Sequence, residues 1–139
     1  VGSLFRTADA VGVTKIFLTG YTPTPVDKYE RPVKEIAKTA LGAEKSIPWQ
    51  KIDIQECLQF LKEQQVYVVA IEQSNNSVSY RDVKVPFPAA FILGNEVTGI
   101  EEDILQAADV VAEIPMLGSK ESLNISVAGG IALFQMLGI

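Results

Sequence analysis

The chain has 139 residues, 47% hydrophobic and 21% charged, which fits a single globular domain and excludes a disordered chain. It carries one Cys and no His, so an internal disulfide, a Cys-only metal cluster, His-ligated zinc and the Ser-His and Cys-His nucleophile pairs are all excluded. The formal net charge is −5, and chemistry is left to Arg, Lys, Asp, Glu, Asn, Ser, Tyr or a bound cofactor, with no metal expected.

Residues 1–11 place Leu4, Ala8 and Val11 on one helical face, and Gly12 follows as a C-terminal stop. Lys15–Thr19 predicts a buried strand. Pro23, Pro25 and Pro32 make residues 20–32 a long loop. A helix is expected near 33–41, with Pro32 at its start and Gly42 past its end. Residues 54–65 predict an amphipathic helix with Ile54, Leu58 and Leu61 on one side, then Val66–Ile71 a β-branched strand. After the turn-rich stretch 72–85, Ala89–Leu93 predicts a strand, 101–107 a short helix, Asp109–Ile114 a strand and Ser122–Leu137 a final helix. In that helix Ser122 is expected as N-cap, Asn124 within the first turn, and Leu123, Val127, Ile131 and Phe134 as core.

Four strands separated by helices indicate an α/β fold with a parallel sheet covered by helices on both faces. Ligands in such sheets bind outside the carboxyl ends of the strands. The segments there are Gly20-Tyr21, Glu72-Gln73-Ser74, Gly94-Asn95-Glu96 and Pro115-Met116-Leu117-Gly118. No run of about 18 apolar residues predicts a membrane span, and no basic-then-apolar leader is visible, so the expected location is cytoplasmic.

The charge is unevenly spread. Residues 1–51 hold eight Lys and Arg against five acids, and residues 52–139 hold four against twelve. Phosphate recognition needs local positive charge rather than a positive total. An ordinary solvated face explains the same pattern equally well.

Three segments could carry chemistry. Leu93-Gly94-Asn95-Glu96-Val97-Thr98-Gly99-Ile100 runs from a strand into a turn bracketed by two glycines, which permit close backbone approach to a ligand. It lacks the Gly-Lys-Ser/Thr ending of a P-loop and is not a GxGxxG fingerprint. A tight strand-to-helix turn with Glu96 favoured by the helix dipole is the plain alternative. Ile114-Pro115-Met116 followed by Ser122-Leu123-Asn124-Ile125-Ser126-Val127-Ala128 joins a strand to a helix through a loop, where Asn124 either faces a ligand or completes a cap network. Arg6, beside an apolar face, either is solvated, forms a pair or holds an anion.

Together these segments resemble the SpoU (TrmH-type) RNA 2′-O-ribose methyltransferases of the SPOUT superfamily. The family's first motif, Asn-x-Gly-x-x-x-Arg-x-Ala, fits Val1-Gly2-Ser3-Leu4-Phe5-Arg6-Thr7-Ala8 from its second position onward. Its leading Asn would precede Val1, so residues 1–139 are expected to be a methyltransferase domain trimmed of its first strand and of any upstream RNA-binding extension. The second and third motifs match the Leu93–Ile100 and the Ile114–Met116 and Ser122–Ala128 segments. Lys38-Thr39-Ala40-Leu41-Gly42-Ala43 is similar to a connecting segment of the family.

The resemblance implies a SPOUT-type parallel α/β fold whose C-terminal part forms a deep trefoil knot, a homodimer, and S-adenosylmethionine as cofactor, with S-adenosylhomocysteine as product. It implies a substrate of tRNA or rRNA rather than DNA or a membrane. Cofactor contacts carried over are Leu93, Gly94, Glu96, Gly99, Ile114, Met116, Leu123 and Ala128. Catalytic positions carried over are Arg6, Glu96, Asn124 and Ser122. Arg6 is assigned to take the ribose proton with help from an RNA phosphate. Arginine is a poor free base, so a phosphate clamp with another proton acceptor stands beside that assignment. Arg31, Lys34, Lys38 and Lys45 are candidate RNA contacts, and Tyr21 and Tyr29 are candidates for base stacking. The alternatives are a non-catalytic RNA-binding dimer on the same scaffold and an unrelated nucleotide-binding α/β enzyme.

Overall fold

All strand-to-strand pairings in the computed structural model, which describes residues 1–95, 97–120 and 122–139, are parallel. The chain divides into two compact units, Val1–Cys57 and Leu58–Ile139, each with its own sheet.

The first unit begins with helix α1 (Gly2–Val11), which ends at Gly12 in the left-handed conformation with φ 80°. Strand β1 (Ile16–Leu18), helices α2 (Lys34–Ala40) and α3 (Ala43–Ser46) and strand β2 (Trp49–Lys51) follow. β1 and β2 pair in register Ile16 with Trp49 through Leu18 with Lys51. The core of this unit joins Phe5 and Ala8 of α1 to Leu18, Ala40, Ala43 and Ile47. α1 therefore buries a face centred on Phe5 and Ala8 rather than on Leu4, Ala8 and Val11, since Leu4 and Val11 are only half-buried. The sequence leaves that choice open, because Leu4 and Phe5 are adjacent apolar residues and either can phase the helix.

Helix α4 (Ile54–Glu63) begins at the end of the first unit and continues into the second, burying Cys57 and Leu61. Next come β3 (Tyr67–Ile71), β4 (Val78–Ser79), a 3₁₀ turn (Tyr80–Asp82), β5 (Ala89–Leu93), α5 (Glu102–Ala107), β6 (Val110–Glu113) and α6 (Ile125–Met136). The strand order is β4-β6-β3-β5. Val68, Val69 and Ala70 of β3 are 5%, 0% and 0% exposed. Successive strand residues face opposite sides, so both faces of β3 are covered. Val69 and Ala112 meet Ala132 and Met136 of α6 and Tyr80 in one cluster.

The four predicted strands are present, but the first of them pairs with β2 in a separate two-stranded sheet instead of joining the other three. β2 and β4 escape the sequence reading because they are three and two residues long, too short for an alternating pattern. α6 differs in its buried face. Its core residues are Gly129, Ala132, Leu133 and Met136, whereas Val127, Ile131 and Phe134 are 49%, 38% and 40% exposed. The helix ISVAGGIALFQM is apolar almost all round, so periodicity cannot choose its inner face. Among the described residues no helix is long and apolar enough to cross a membrane, and no group of three or more His, Cys, Asp and Glu could hold a metal ion.

Gly2 sets the spacing of α1 against α2. A Cβ there would collide with Thr39 Oγ1 and lie 2.5 Å from the Ile36 carbonyl oxygen. Alanine would gain up to about 1 kcal/mol of helix propensity, less at a first-turn position. The carbonyl cannot rotate away as a flexible side chain can, so overpacking wins. Gly2→Ala should lower stability by about 1–3 kcal/mol in urea unfolding; a neutral effect would mean that the two helices separate without cost.

Candidate cofactor cleft and basic loop

β3 aligns Ile71 with Leu93 of β5 and with Ala112 of β6. Because the strands are parallel and end level, the segments that leave them emerge at the same edge of the sheet. They enclose a cleft of about 610 Å³, within the usual size range of small-molecule sites. Residues 71–75 form one side, Leu93, Gly94, Asn95 and 97–100 another, and Ile114, Met116, Ser122, Leu123, Ile125 and Ala128 a third. Glu102 and Leu105 of α5 complete it.

The turn after β5 is closed by a bridge between Asn95 and Gly99, with Gly99 N–H donating to the Asn95 carbonyl at 2.8 Å. Asn95 Oδ1 accepts from the amides of Val97 at 2.7 Å and Thr98 at 3.3 Å. Gly94 lies so close that a Cβ there would be 2.6 Å from the Gly99 carbonyl carbon. Glu72 reaches across from the end of β3, and its Oε2 accepts the Ile100 N–H at 2.9 Å.

Asn124, not Ser122, is the N-cap of α6. Its Oδ1 accepts from the Ser126 amide at 2.9 Å and from the Ser126 hydroxyl at 2.6 Å. The helix therefore starts at Ile125, and Asn124 stands just before the first turn. Both Ser and Asn are good caps, so the sequence alone favours neither.

The cleft gathers Leu93, Gly94, Gly99, Ile114, Met116, Leu123, Ala128 and Ser122 of the predicted site, whereas Asn124, the α6 cap, is not among its lining residues. Glu96 lies outside the described residues. Arg6 is an exposed residue of α1 in the first unit, where Arg31, Lys34, Lys38 and Lys45 also lie. The motif reading misses Glu72, Gln73 and Glu102 as lining residues. Glu72 and Gln73 had a signal, since they directly follow a predicted strand end, but belong to no motif. Among the described lining residues there are two carboxylates, Glu72 and Glu102, and no Lys or Arg. Cys57 is not a nucleophile candidate, because burial pushes its thiol up despite the opposing effect of Lys15.

The long loop of the first unit is ordered by its own polar groups. The Asp27 carboxylate accepts from the amides of Tyr29 at 2.8 Å and Arg31 at 3.0 Å, and from Arg31 Nε at 2.9 Å. The Arg31 guanidinium and the Lys28 ammonium each lie 5.0 Å from the Tyr29 ring centre. Arg31 is thus already paired with Asp27, whereas Lys34, Lys38 and Lys45 are exposed on α2 and α3. Lys51 Nζ donates to the carbonyls of Gly20 at 2.6 Å and Thr22 at 2.7 Å, tying the start of the loop to the end of β2.

A parallel α/β sheet with a loop-built cleft at its carboxyl edge defines the structural class of this protein. The chain belongs to the SpoU rRNA Methylase family, whose family model matches residues 1–134. It is 31% identical over 136 residues to the 23S rRNA (guanosine-2′-O-)-methyltransferase RlmB of Neisseria meningitidis, covering 97% of this chain and 52% of that protein. It is also 31% identical to the tRNA (guanosine(18)-2′-O)-methyltransferase of Escherichia coli, covering 97% of this chain and 56% of that protein. Among solved structures, an AdoMet-bound rRNA methyltransferase from Sinorhizobium meliloti superposes with a TM-score of 0.83 at 32% identity, covering 97% of this chain and 49% of that one. The fold is of the SPOUT type. The chain spans about half the length of these curated relatives.

The Arg31 amide foremost, then the Tyr29 amide and the Arg31 guanidinium, hold the Asp27 carboxyl below its ordinary value of 3.8, against an opposing push from burial. A depressed carboxyl stabilises the fold above its unfolded value, near 3.9, and that contribution is lost as pH falls through the folded value. An NMR titration should place the Asp27 midpoint below 3.8, with the Tyr29 and Arg31 amides shifting alongside it. Asp27→Asn should abolish that acid-side shift; a midpoint at or above the ordinary value would contradict the hydrogen-bonded loop.

Proposed function

We propose that this protein is an S-adenosylmethionine-dependent RNA methyltransferase acting on a ribose 2′-hydroxyl of tRNA or rRNA. The observation that carries this reading is the charge of the cleft. Glu72 and Glu102 line it without any Lys or Arg among the described residues, which suits a cationic sulfonium ligand and opposes the phosphates of ATP or NAD. The names of the relatives support the choice of RNA and of the ribose oxygen.

The cleft fits the cofactor by its chemistry. Ile114, Met116 and Leu123 offer apolar walls for a base, and Gly94 and Gly99 leave backbone open to polar edges. When bound, S-adenosylmethionine supplies the electrophilic methyl group. The protein then has to position the ribose and manage its proton. Asn124 Oδ1 is committed to Ser126, so its Nδ2 donors remain to orient a ribose or phosphate oxygen. In this reading Arg6 takes the hydroxyl proton or clamps the adjacent phosphate, and Glu96 helps to orient the ribose. Lys34, Lys38 and Lys45 meet RNA phosphates in this reading, and Arg31 contributes less because Asp27 already holds it.

Binding calorimetry should detect S-adenosylhomocysteine and neither ATP nor NAD. With labelled S-adenosylmethionine, tRNA or rRNA should acquire label on a ribose. Arg6→Ala should cut turnover about 100-fold or more while leaving S-adenosylhomocysteine affinity unchanged. Label on a base, or binding of ATP in place of the cofactor product, would sink the reading.

We also propose that the chain acts as a homodimer and that its C-terminal part is threaded as a trefoil knot. Val127, Ile131 and Phe134 support the dimer, since they form an exposed apolar stripe on α6 at helical spacing. Sedimentation velocity should show a dimer that Ile131→Lys converts to monomer; a monomeric wild-type protein would refute it. The family resemblance supports the knot, and a crystal structure whose chain after β6 passes through no loop would remove it.

A further inference from the structure

The local hydrogen bonds of the turn after β5 fix its shape, but not its direction relative to the sheet. The bonds of Asn95 to Val97, Thr98 and Gly99 span at most four residues. Glu72 supplies a bond of a different kind, to Ile100, 28 positions away. Its other oxygen, Oε1, accepts the Gln73 amide at 3.0 Å. Two amides on two oxygens fix the carboxylate at the end of β3, which is itself a buried inner strand. Gly99 makes room for this contact. It has φ +69°, and a Cβ there would collide with Glu72 Oε2 and lie 3.3 Å from Cδ. Gly94 backs the same turn from the β5 side, where a Cβ would lie 2.8 Å from the Ile100 amide nitrogen.

We propose that Glu72 is a positioning residue that clamps the Ile100 amide and holds the turn after β5 in the direction, relative to the sheet, that an S-adenosyl ligand requires. The ligand part of this proposal rests on reading the cleft as the cofactor pocket; the clamp itself rests on the contacts just described. A carboxylate suits the task better than an amide. Charged acceptors make the stronger bonds, and a glutamine has one acceptor oxygen for the two amides.

Residue-resolved hydrogen exchange without ligand tests the clamp directly. Glu72→Ala should speed exchange of the Ile100 amide about tenfold or more, with Glu72→Gln intermediate. The Val69 amide in β3 should keep its protection, which a general loss of stability would not allow. Calorimetry should show S-adenosylhomocysteine binding weakened about tenfold in Glu72→Ala and less in Glu72→Gln, with KM for the cofactor rising and kcat within about twofold. If Glu72→Ala fails to fold, Glu72→Gln carries the comparison. Ile100 exchange within about twofold of wild type in the folded variants overturns the clamp. Wild-type protein that binds no S-adenosylhomocysteine overturns the cofactor reading instead, and the exchange rates still decide the clamp.

Discussion

The register of β3 between β5 and β6 is the constraint on which the second unit depends. Hydrogen bonds outside the strands proper pin it at both ends. At the start, Asp109 donates its amide to the Val68 carbonyl at 2.9 Å and accepts the Val68 amide on its carboxylate at 2.7 Å. At the end, the Glu72 amide donates to the Ala112 carbonyl at 3.0 Å. A slip of one residue would exchange the two faces of the strand. With both faces of β3 buried, either exchange would misplace residues that now fill a core. Because the register is fixed, the strands end level and their outgoing loops converge. The cleft is a consequence of where the strands stop.

The two units divide the charge. The described lining of the cleft is acidic, while the long loop, α2 and α3 of the first unit carry exposed bases. Under the proposed function each charge suits its own ligand: a cationic cofactor is drawn to the cleft, and an anionic RNA to the bases of the first unit. The net charge of −5 conceals it. Not every base in the first unit faces outward on equal terms, since Arg31 pairs with Asp27 and Lys51 donates to two backbone carbonyls.

Much of the second unit was legible in the sequence because long apolar strands and glycine-bracketed turns carry strong local signals. Ala89–Leu93 forms a strand with the expected bounds, and of the segments named at the strand ends Glu72-Gln73-Ser74, Gly94-Asn95 and Met116 line the cleft, whereas Gly20-Tyr21 belongs to the first unit. What was not legible needed information beyond local pattern. α6 is apolar almost all round, so which residues face Val69 and Ala112 depends on the tertiary fit. The choice of Asn124 over Ser122 as cap depended on where the helix begins. Glu72 stands in a strand-end segment named for ligand binding, but its bond to the Ile100 amide is visible only once the fold brings the two together. The pairing of β1 with the three-residue β2 is a long-range event with almost no local trace.

The loop between β1 and α2 has a consequence of its own. Three prolines and two exposed tyrosines suggest a floppy connection. Yet Lys51 holds its start, Asp27 gathers three donors at its tip, and a bridge joins Val26 to Pro32. Most of the conformational entropy that such a loop would surrender on meeting a partner has therefore already been given up during folding. Tyr29 and its neighbouring cations are presented as a preformed surface, and a partner that docks there meets a shape instead of having to impose one.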